Sequence, residues 1–437
     1  MERTQHEANT QTLRNAAEIG SVCEVHRDLE ACVVSRGKSI TVLLTLGRLP
    51  KALELARALT AAGCRVLVAD PFAFHLCRAS NAVEKSFKTP SPHSHQEQYL
   101  AHLLDIVARE KVDLVLPVSE EALHVSLLKN RLPDETRLFA LSNDVLQDLH
   151  DKYTFNQIAQ NAGISAPETY LASDAQASRL AASGDTVLKP RLGCSGQALR
   201  MLSPDSLPTE QPGNADTIIQ KRIFGREVST LSLCRNGEVL AHVTYEGLVF
   251  AGTVAVCFRR VSDLPQVNEW VADFARSGGY SYFLAFDFIV DEVGTPWPLE
   301  CNPRLTSGIH FLDPDGIANA IANFEETTEV GLKPGERFQE GHTTLLQVYG
   351  NIFRPGTALR HLRAMLSARD VLWSLDDPAP FPLMTPYSWP VLKQVMFRGR
   401  TFGEAATRDI AWPPQKAAQN DASIQAAEQV SAHGSYS

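Results

Sequence analysis

Two acids and an asparagine carry the strongest chemical signal in this sequence: Asp287, Glu300 and Asn302, within YFLAFDFIVDEVGTPWPLECNPRLTSGIH (282–310). Strand alternation puts Ala285, Asp287 and Ile289 on one face and Leu284, Phe286 and Phe288 on the other. A two-residue turn at Val293-Gly294 then sets Asp287 opposite Glu300, and Ala285 opposite Asn302, on the same face. Pro296 and Pro298 share the parity of Glu300, so their missing N–H groups fall on the unpaired side of an edge strand. The acids become a non-hydrogen-bonded pair, the kind whose side chains approach most closely. Two like charges facing each other on a largely apolar face destabilise a sheet unless something neutralises them. A hard divalent cation does this most simply. Magnesium suits carboxylate and amide oxygens and is completed by nucleotide phosphates. The structural alternative is a protonated acid pair, or acids splayed to solvent at a hairpin end.

A second group of residues suits phosphate. TVLKPRLGCSGQAL (186–199) places Lys189 in a strand ahead of a loop holding Gly193, Ser195 and Gly196. Backbone N–H groups of such a loop can cradle phosphate oxygens, and a lysine adds a point charge to the same anion. An ordinary hairpin with a snorkelling lysine is the plainer reading, and the loop fits neither a Walker nor a dinucleotide pattern. In TIIQKRIFGREVST (217–230) a strand breaks at Phe224-Gly225 and resumes. An exposed backbone edge there suits a purine, and Glu227 can accept from ribose hydroxyls; two strands and a turn explain it equally.

These residues need elements to hold them. The chain has 437 residues, 44% hydrophobic and 21% charged, with formal net charge -9, which predicts two or three globular domains. No long basic stripe exists, which argues against a nucleic-acid partner. Residues 1–38 form a polar extension without signal-peptide character, and no run approaches the roughly 20 apolar residues of a membrane span. Eight scattered cysteines without CxxC pairs suit reduced thiols, so the protein reads as cytoplasmic. From Ser39 the apolar runs SITVLLTLG, CRVLVAD and VDLVLPV alternate with helical segments, predicting a parallel-sheet α/β domain over 39–148. Residues 149–325 switch to short strands separated by turns, an α+β domain of antiparallel sheet with interspersed helices. A C-terminal extension over 326–412 holds further strand and helix, with TTLLQVYG and LRHLRAML as its clearest segments. Residues 413–437 read as a disordered tail.

Taken in order, these motifs resemble the ATP-grasp superfamily over about residues 39–325. The resemblance implies a pre-ATP-grasp domain followed by two lobes clasping ATP. It assigns Lys152, in DKYTFNQIAQNAGISAPETY, and Lys189 as nucleotide-binding lysines, with Gly193, Ser195 and Gly196 as the phosphate loop. It also assigns Gln220, Lys221 and Ile223 to the adenine hinge and Glu227 to the ribose. Asp287, Glu300 and Asn302, separated by thirteen and two positions, match the magnesium triad, and Arg304 matches the arginine that reaches the γ-phosphate or acyl phosphate. The loop GCSG is shorter in glycine than the family run, and Ala285 stands where some peptide ligases have arginine.

The resemblance implies an ADP-forming carboxylate–amine ligase using ATP and one or two magnesium ions, with manganese as a substitute. Its partners are then a small carboxylate, an amine and, compatibly, a second copy in a homodimer. Phosphorylation of bicarbonate, as in carboxylase-type members, is the alternative within enzymes, and a non-catalytic ATP-binding regulator is the alternative outside them. Arg259 and Arg260 are candidates to hold a substrate, or are structural surface arginines. His310 is a candidate base, or a satisfied loop histidine. Glu120 and Glu121 follow a strand end that suits ligands, or fill the first turn of a helix capped by Ser119.

Overall fold

The computed structural model describes residues 39–193, 199–203, 215–398 and 402–414. The N-terminal extension, the loop residues Ser195 and Gly196, and the tail from 415 lie outside the described residues. The apolar run after Ser39 becomes β1 (Thr41–Leu44), followed by α1 (Pro50–Ala61), β2 (Arg65–Asp70), β3 (Lys85–Lys88), α2 (Gln96–Glu110), β4 (Leu114–Leu116), the single-turn α3 (Ala122–Val125) and β5 (Arg137–Leu138). The five strands form an all-parallel sheet in the order β3-β2-β1-β4-β5. β1 is apolar from Val42 to Leu44 because both faces are covered. Val42 and Leu44 pack with Leu53, Ala56 and Leu59 of α1, while Leu43 packs with Tyr99, Leu100 and Leu103 of α2. Each such fully buried side chain contributes about 1.5–3 kcal/mol.

Helices α4 (Asn143–His150) and α5 (Lys152–Asn161) lead into a small antiparallel sheet. It comprises β6 (Thr169–Leu171), β7 (Thr186–Pro190), β8 (Arg200–Leu202) and β9 (Thr217–Lys221) in the order β6-β9-β7-β8. Leu188 and Ile219 of this sheet bury Ala177, Leu180 and Ala181 of α6 (Ala175–Ser183).

The larger sheet contains β10 (Arg226–Arg235), β11 (Glu238–Ala251), β12 (Val254–Val261), β13 (Tyr282–Val290), β14 (Pro296–Asn302), β15 (Arg337–Gln339) and β16 (Arg369–Asp370). Its order is β14-β13-β10-β11-β12-β15-β16, antiparallel except for the parallel β15–β16 pair. Helix α7 (Pro265–Gly278) covers one face of β13, where Leu284, Phe286 and Phe288 meet Trp270 and Phe274, with Phe155 of α5. The other face of β13 carries Ala285 and Asp287 into a cavity.

The remaining helices are α8 (Pro314–Ala322), α9 (Gly341–Gly350), α10 (Pro355–Ser367), α11 (Pro380–Tyr387), α12 (Trp389–Arg398) and α13 (Phe402–Thr407). TTLLQVYG, with its β-branched start, suits a strand but lies within α9. Tertiary partners override the local preference here: Asp370 Oδ2 accepts from the Gly341 N–H at 2.7 Å, and Thr344 Oγ1 donates to the Val256 carbonyl at 3.2 Å. Among the described residues no helix is long and apolar enough to cross a membrane. The described cysteines, Cys64, Cys77, Cys234, Cys257 and Cys301, are all buried and free.

Candidate active site

The β13–β14 hairpin holds the acid pair in the expected register: Asp287 faces Glu300 and Ala285 faces Asn302. The turn differs. The expected two-residue turn is a loop over 291–295, organised by Asp291, whose Oδ1 accepts from the Val293 and Thr295 N–H groups. The pairing slips by one beyond the acids, with Phe288 opposite Pro298 and Val290 opposite Pro296, so Leu299 is the extra residue of a β-bulge. The Leu299 carbonyl accepts from Lys189 Nζ at 3.0 Å, tying the small sheet to the large one at the bulge. Neighbouring β10 also contributes, because Ser229 pairs with Asp287 and its hydroxyl donates to Asp287 Oδ1 at 2.5 Å.

Asn302 closes the triad, with Nδ2 at 3.3 Å from Asp287 Oδ2 and 3.2 Å from Glu300 Oε1. A half-turn of that amide offers its oxygen to the same point. Two carboxylates and an amide oxygen converging in this way fit magnesium, with the rest of its shell left to phosphate oxygens and water. Among the described residues no group of three or more His, Cys, Asp or Glu side chains gathers around a metal position.

Cations surround the triad. Lys152 is the first residue of α5; its Nζ lies 3.2 Å from Glu300 Oε2 and donates to the Gly193 carbonyl at 2.6 Å. Asp151 caps that helix by accepting from the Tyr153 and Thr154 N–H groups, and Arg191 pairs with it. Arg304 Nη2 donates to Asn302 Oδ1 at 3.0 Å, while its Nε is buried without a hydrogen-bond partner among the described residues. That donor is available to an anionic oxygen.

Burial and the facing Glu300 charge push the Asp287 carboxyl well above the usual range. Burial also works against the Glu300 charge, but Lys152 and Lys189 outweigh it and hold that carboxyl below its usual range. Burial, assisted by the Lys152 charge, lowers Lys189 to about 7. His150 is lowered by burial and by Lys152 to about 3 and stands neutral, with Nε2 3.7 Å from Glu120 Oε1.

The triad opens into a cavity of about 790 Å³. Lys152, Lys189, Gly193, Glu227, Asp287, Glu300, Asn302 and Arg304 all line it. Gln220 is buried, and its Nε2 donates to Thr169 Oγ1 at 2.8 Å. Lys221 is exposed and Ile223 half-buried in the following loop, and none of the three expected hinge residues lines the cavity. Gly225 is required where β10 begins, since a Cβ there would lie 2.1 Å from the Val290 carbonyl oxygen.

Other candidates fall differently. Neither Arg259 nor Arg260 lines the cavity; Arg259 pairs instead with Glu246, which also takes Arg226 at 2.9 Å. His310 does line it, but its Nδ1 is engaged by Glu54, so it stands as a satisfied loop histidine. The helix expected to start after Ser119 begins at Ala122 with Glu121 at its cap position. Glu121 Oε1 turns back to accept from the Val118 and Ser119 N–H groups at 2.7 and 3.1 Å. Sequence reasoning passed over Ser229, Arg191 and His150. Ser229 was reachable from alternation with Glu227 along β10, whereas Arg191 and His150 gave no local signal. It also gave the cavity walls from α11 and α12 no role, yet Met384, Tyr387 and Val391 line it.

Residues 149–308 match the ATP-grasp domain family. Among curated proteins, none matches this chain in sequence. Solved structures share its fold. N5-carboxyaminoimidazole synthetase from Staphylococcus aureus aligns at 15% identity with a TM-score of 0.55, covering 72% of this chain and 86% of that one. The biotin carboxylase domain of Hydrogenobacter thermophilus 2-oxoglutarate carboxylase, in complex with MgADP and bicarbonate, aligns at 16% identity with a TM-score of 0.53, covering 66% and 70%. L-amino acid ligase from Bacillus licheniformis aligns at 15% identity with a TM-score of 0.51, covering 68% and 78%. The fold is therefore ATP-grasp, with a parallel-sheet domain ahead of the antiparallel sheets.

Proposed function

We propose that this chain, with its ATP-grasp domain at residues 149–308, is an ADP-forming ligase that phosphorylates a small-molecule carboxylate and passes it to an amine. The observation carrying this reading is the convergence of Lys152, Lys189 and Arg304 on the Asp287–Glu300–Asn302 cluster at one cavity. Bound magnesium would neutralise phosphate charge during in-line transfer. Lys152 already sits against Glu300 and Lys189 at the adjoining Leu299 carbonyl, so both bring positive charge to the same place. The buried Nε of Arg304 supplies a donor for an oxygen that gains charge in the transition state. Glu227, exposed on the cavity rim, suits a ribose hydroxyl, and Gly193 to Gly196 suit the phosphates. No protein nucleophile is needed. The carboxylate attacks the γ-phosphorus, ADP leaves, and the amine displaces phosphate from the acyl carbon.

The lining extends beyond the triad to Phe72, Phe258 and Met384, which leaves room for an organic substrate beside the nucleotide. The similar N5-carboxyaminoimidazole synthetase and biotin carboxylase folds keep a bicarbonate reading as the second one. ADP release with magnesium and ATP, measured on pools of amino acids and other small carboxylates and on bicarbonate alone, separates the two. The expected result is release stimulated by an organic pool and lost in Glu300→Ala. Release stimulated by bicarbonate alone would transfer the assignment. Magnesium-dependent ATP binding without release on any pool would favour a regulator.

A further inference from the structure

Away from the triad, the cavity continues into a compartment walled partly by elements outside the ATP-grasp domain. The parallel-sheet domain supplies Arg48 and Phe72, and helices α11 and α12 supply Met384, Tyr387 and Val391. Several charges along this cavity are already held in ion pairs. Arg48 lies 2.8 Å from Asp70 and 2.8 Å from Asp409, Glu246 is held by Arg226 and Arg259, and Glu300 is held by Lys152. Glu340, like the exposed Glu227 on the rim, is in no such pair among the described residues. It lines the cavity, and among the described residues its carboxylate accepts one hydrogen bond, from the Thr343 hydroxyl at 3.4 Å, and forms no ion pair.

The backbone fixes Glu340 firmly. Its N–H donates to the Val256 carbonyl at 2.8 Å, and its own carbonyl accepts from the Thr344 N–H at 2.9 Å. Val256 and Phe258 of β12 are buried apolar neighbours on the same cavity wall. Burial is the main cause that raises this carboxyl to about 7, against opposing help from Thr343 and Lys51. A carboxylate set beside apolar walls, with no cation in ion-pair contact, gains when a positively charged group arrives beside it. A carboxylate of this kind, set among apolar walls, is the complement of an ammonium group on a hydrocarbon body.

We infer that this compartment receives the amine substrate, with Glu340 as the contact for its ammonium group and the Phe72, Phe258 and Met384 walls as the contact for its apolar body. The inference rests on the ligase reading above and narrows its amine to a primary amine on an apolar frame. Acids and small polar amines are thereby disfavoured.

The test is calorimetric binding of leucinamide and phenethylamine, with their N-acetyl derivatives, to the full chain in the presence of magnesium and ADP. The free amines should bind, and acetylation should weaken them tenfold or more. Glu340→Gln should weaken the amines roughly 30-fold or more, as removing one member of a buried charge pair does. Glu340→Asp should recover part of the loss, and magnesium–ATP affinity should stay unchanged in both variants. Equal amine binding by Glu340→Gln, no preference for the free amine, or no amine binding to the wild type would each overturn the inference. Magnesium–ATP binding without amine binding would overturn it alone, whereas failure to bind magnesium–ATP would remove the ligase reading itself.

Discussion

Strand β13 has two unlike faces, and their difference separates what holds the molecule together from what it does. One face buries Leu284, Phe286 and Phe288 against Trp270, Phe274 and Phe155, with Trp270 stacked on Phe274 at 5.1 Å between centroids. The other turns Ala285 and Asp287 toward the cavity, where Asp287 stands beside a second acid. Neighbouring residues on one backbone thus serve opposed ends. The aromatic face stabilises a strand whose other face is strained by like charge, which is the pattern expected where a site is kept ready for a cation.

That comparison can be broken most severely at Phe286. Phe286→Ala should cost roughly 3–5 kcal/mol of stability, read by denaturant unfolding, because it opens a cavity in the aromatic cluster. Asp287→Asn should do the reverse. Turnover should fall roughly 10²–10³-fold with the loss of an oxygen proposed to hold magnesium, while the melting temperature of the ligand-free protein holds or rises as the like-charge contact disappears. If that variant melts markedly lower, Asp287 belongs to the stabilising face after all. Ser229→Ala sharpens the contrast more gently. It removes one hydrogen bond to the Asp287 carboxylate and should lower turnover roughly tenfold, with unfolding changed by about 1 kcal/mol.

Glu54 gives the smallest test. It is a part-buried acid like Asp287 but is set between His310 and Lys333: burial opposes its charge, yet those two neighbours hold it down at about 2. A folded pKa below the ordinary value of 4.5 stabilises the native state above that pH, and the contribution is lost as pH falls toward 2. The melting temperature of the wild type should therefore decline more steeply between pH 4.5 and 2 than that of Glu54→Gln.

Local rules reached the acid pair, although the longer turn and the bulge at Leu299 offset each other to give that register. Strand alternation and hairpin register set Asp287 against Glu300, and the apolar runs of β1, β2 and β4 announced a covered parallel sheet. The bulge at Leu299 was not legible, because its partner, Lys189, belongs to a different sheet. TTLLQVYG looked like a strand because its helix is secured by Asp370 and the Val256 carbonyl, both distant in sequence. The same distance hid the cavity walls from α11 and α12, and it hid Glu340, whose surroundings come from β12 and from the parallel-sheet domain. Arg259 and Arg260 stayed open between substrate ligands and structural arginines, because a charged pair in a strand gives no sign that Glu246 waits for Arg259 on the next one.

The most direct test of the central claim is hydroxylamine trapping during incubation with ATP, magnesium and pooled carboxylates. The wild type should form a hydroxamate and ADP in equal amounts, as an intercepted acyl phosphate requires, and Glu300→Gln should form neither. ATP that binds with magnesium yet yields no hydroxamate from any pool, or hydroxamate formation that survives Glu300→Gln, would contradict the assignment.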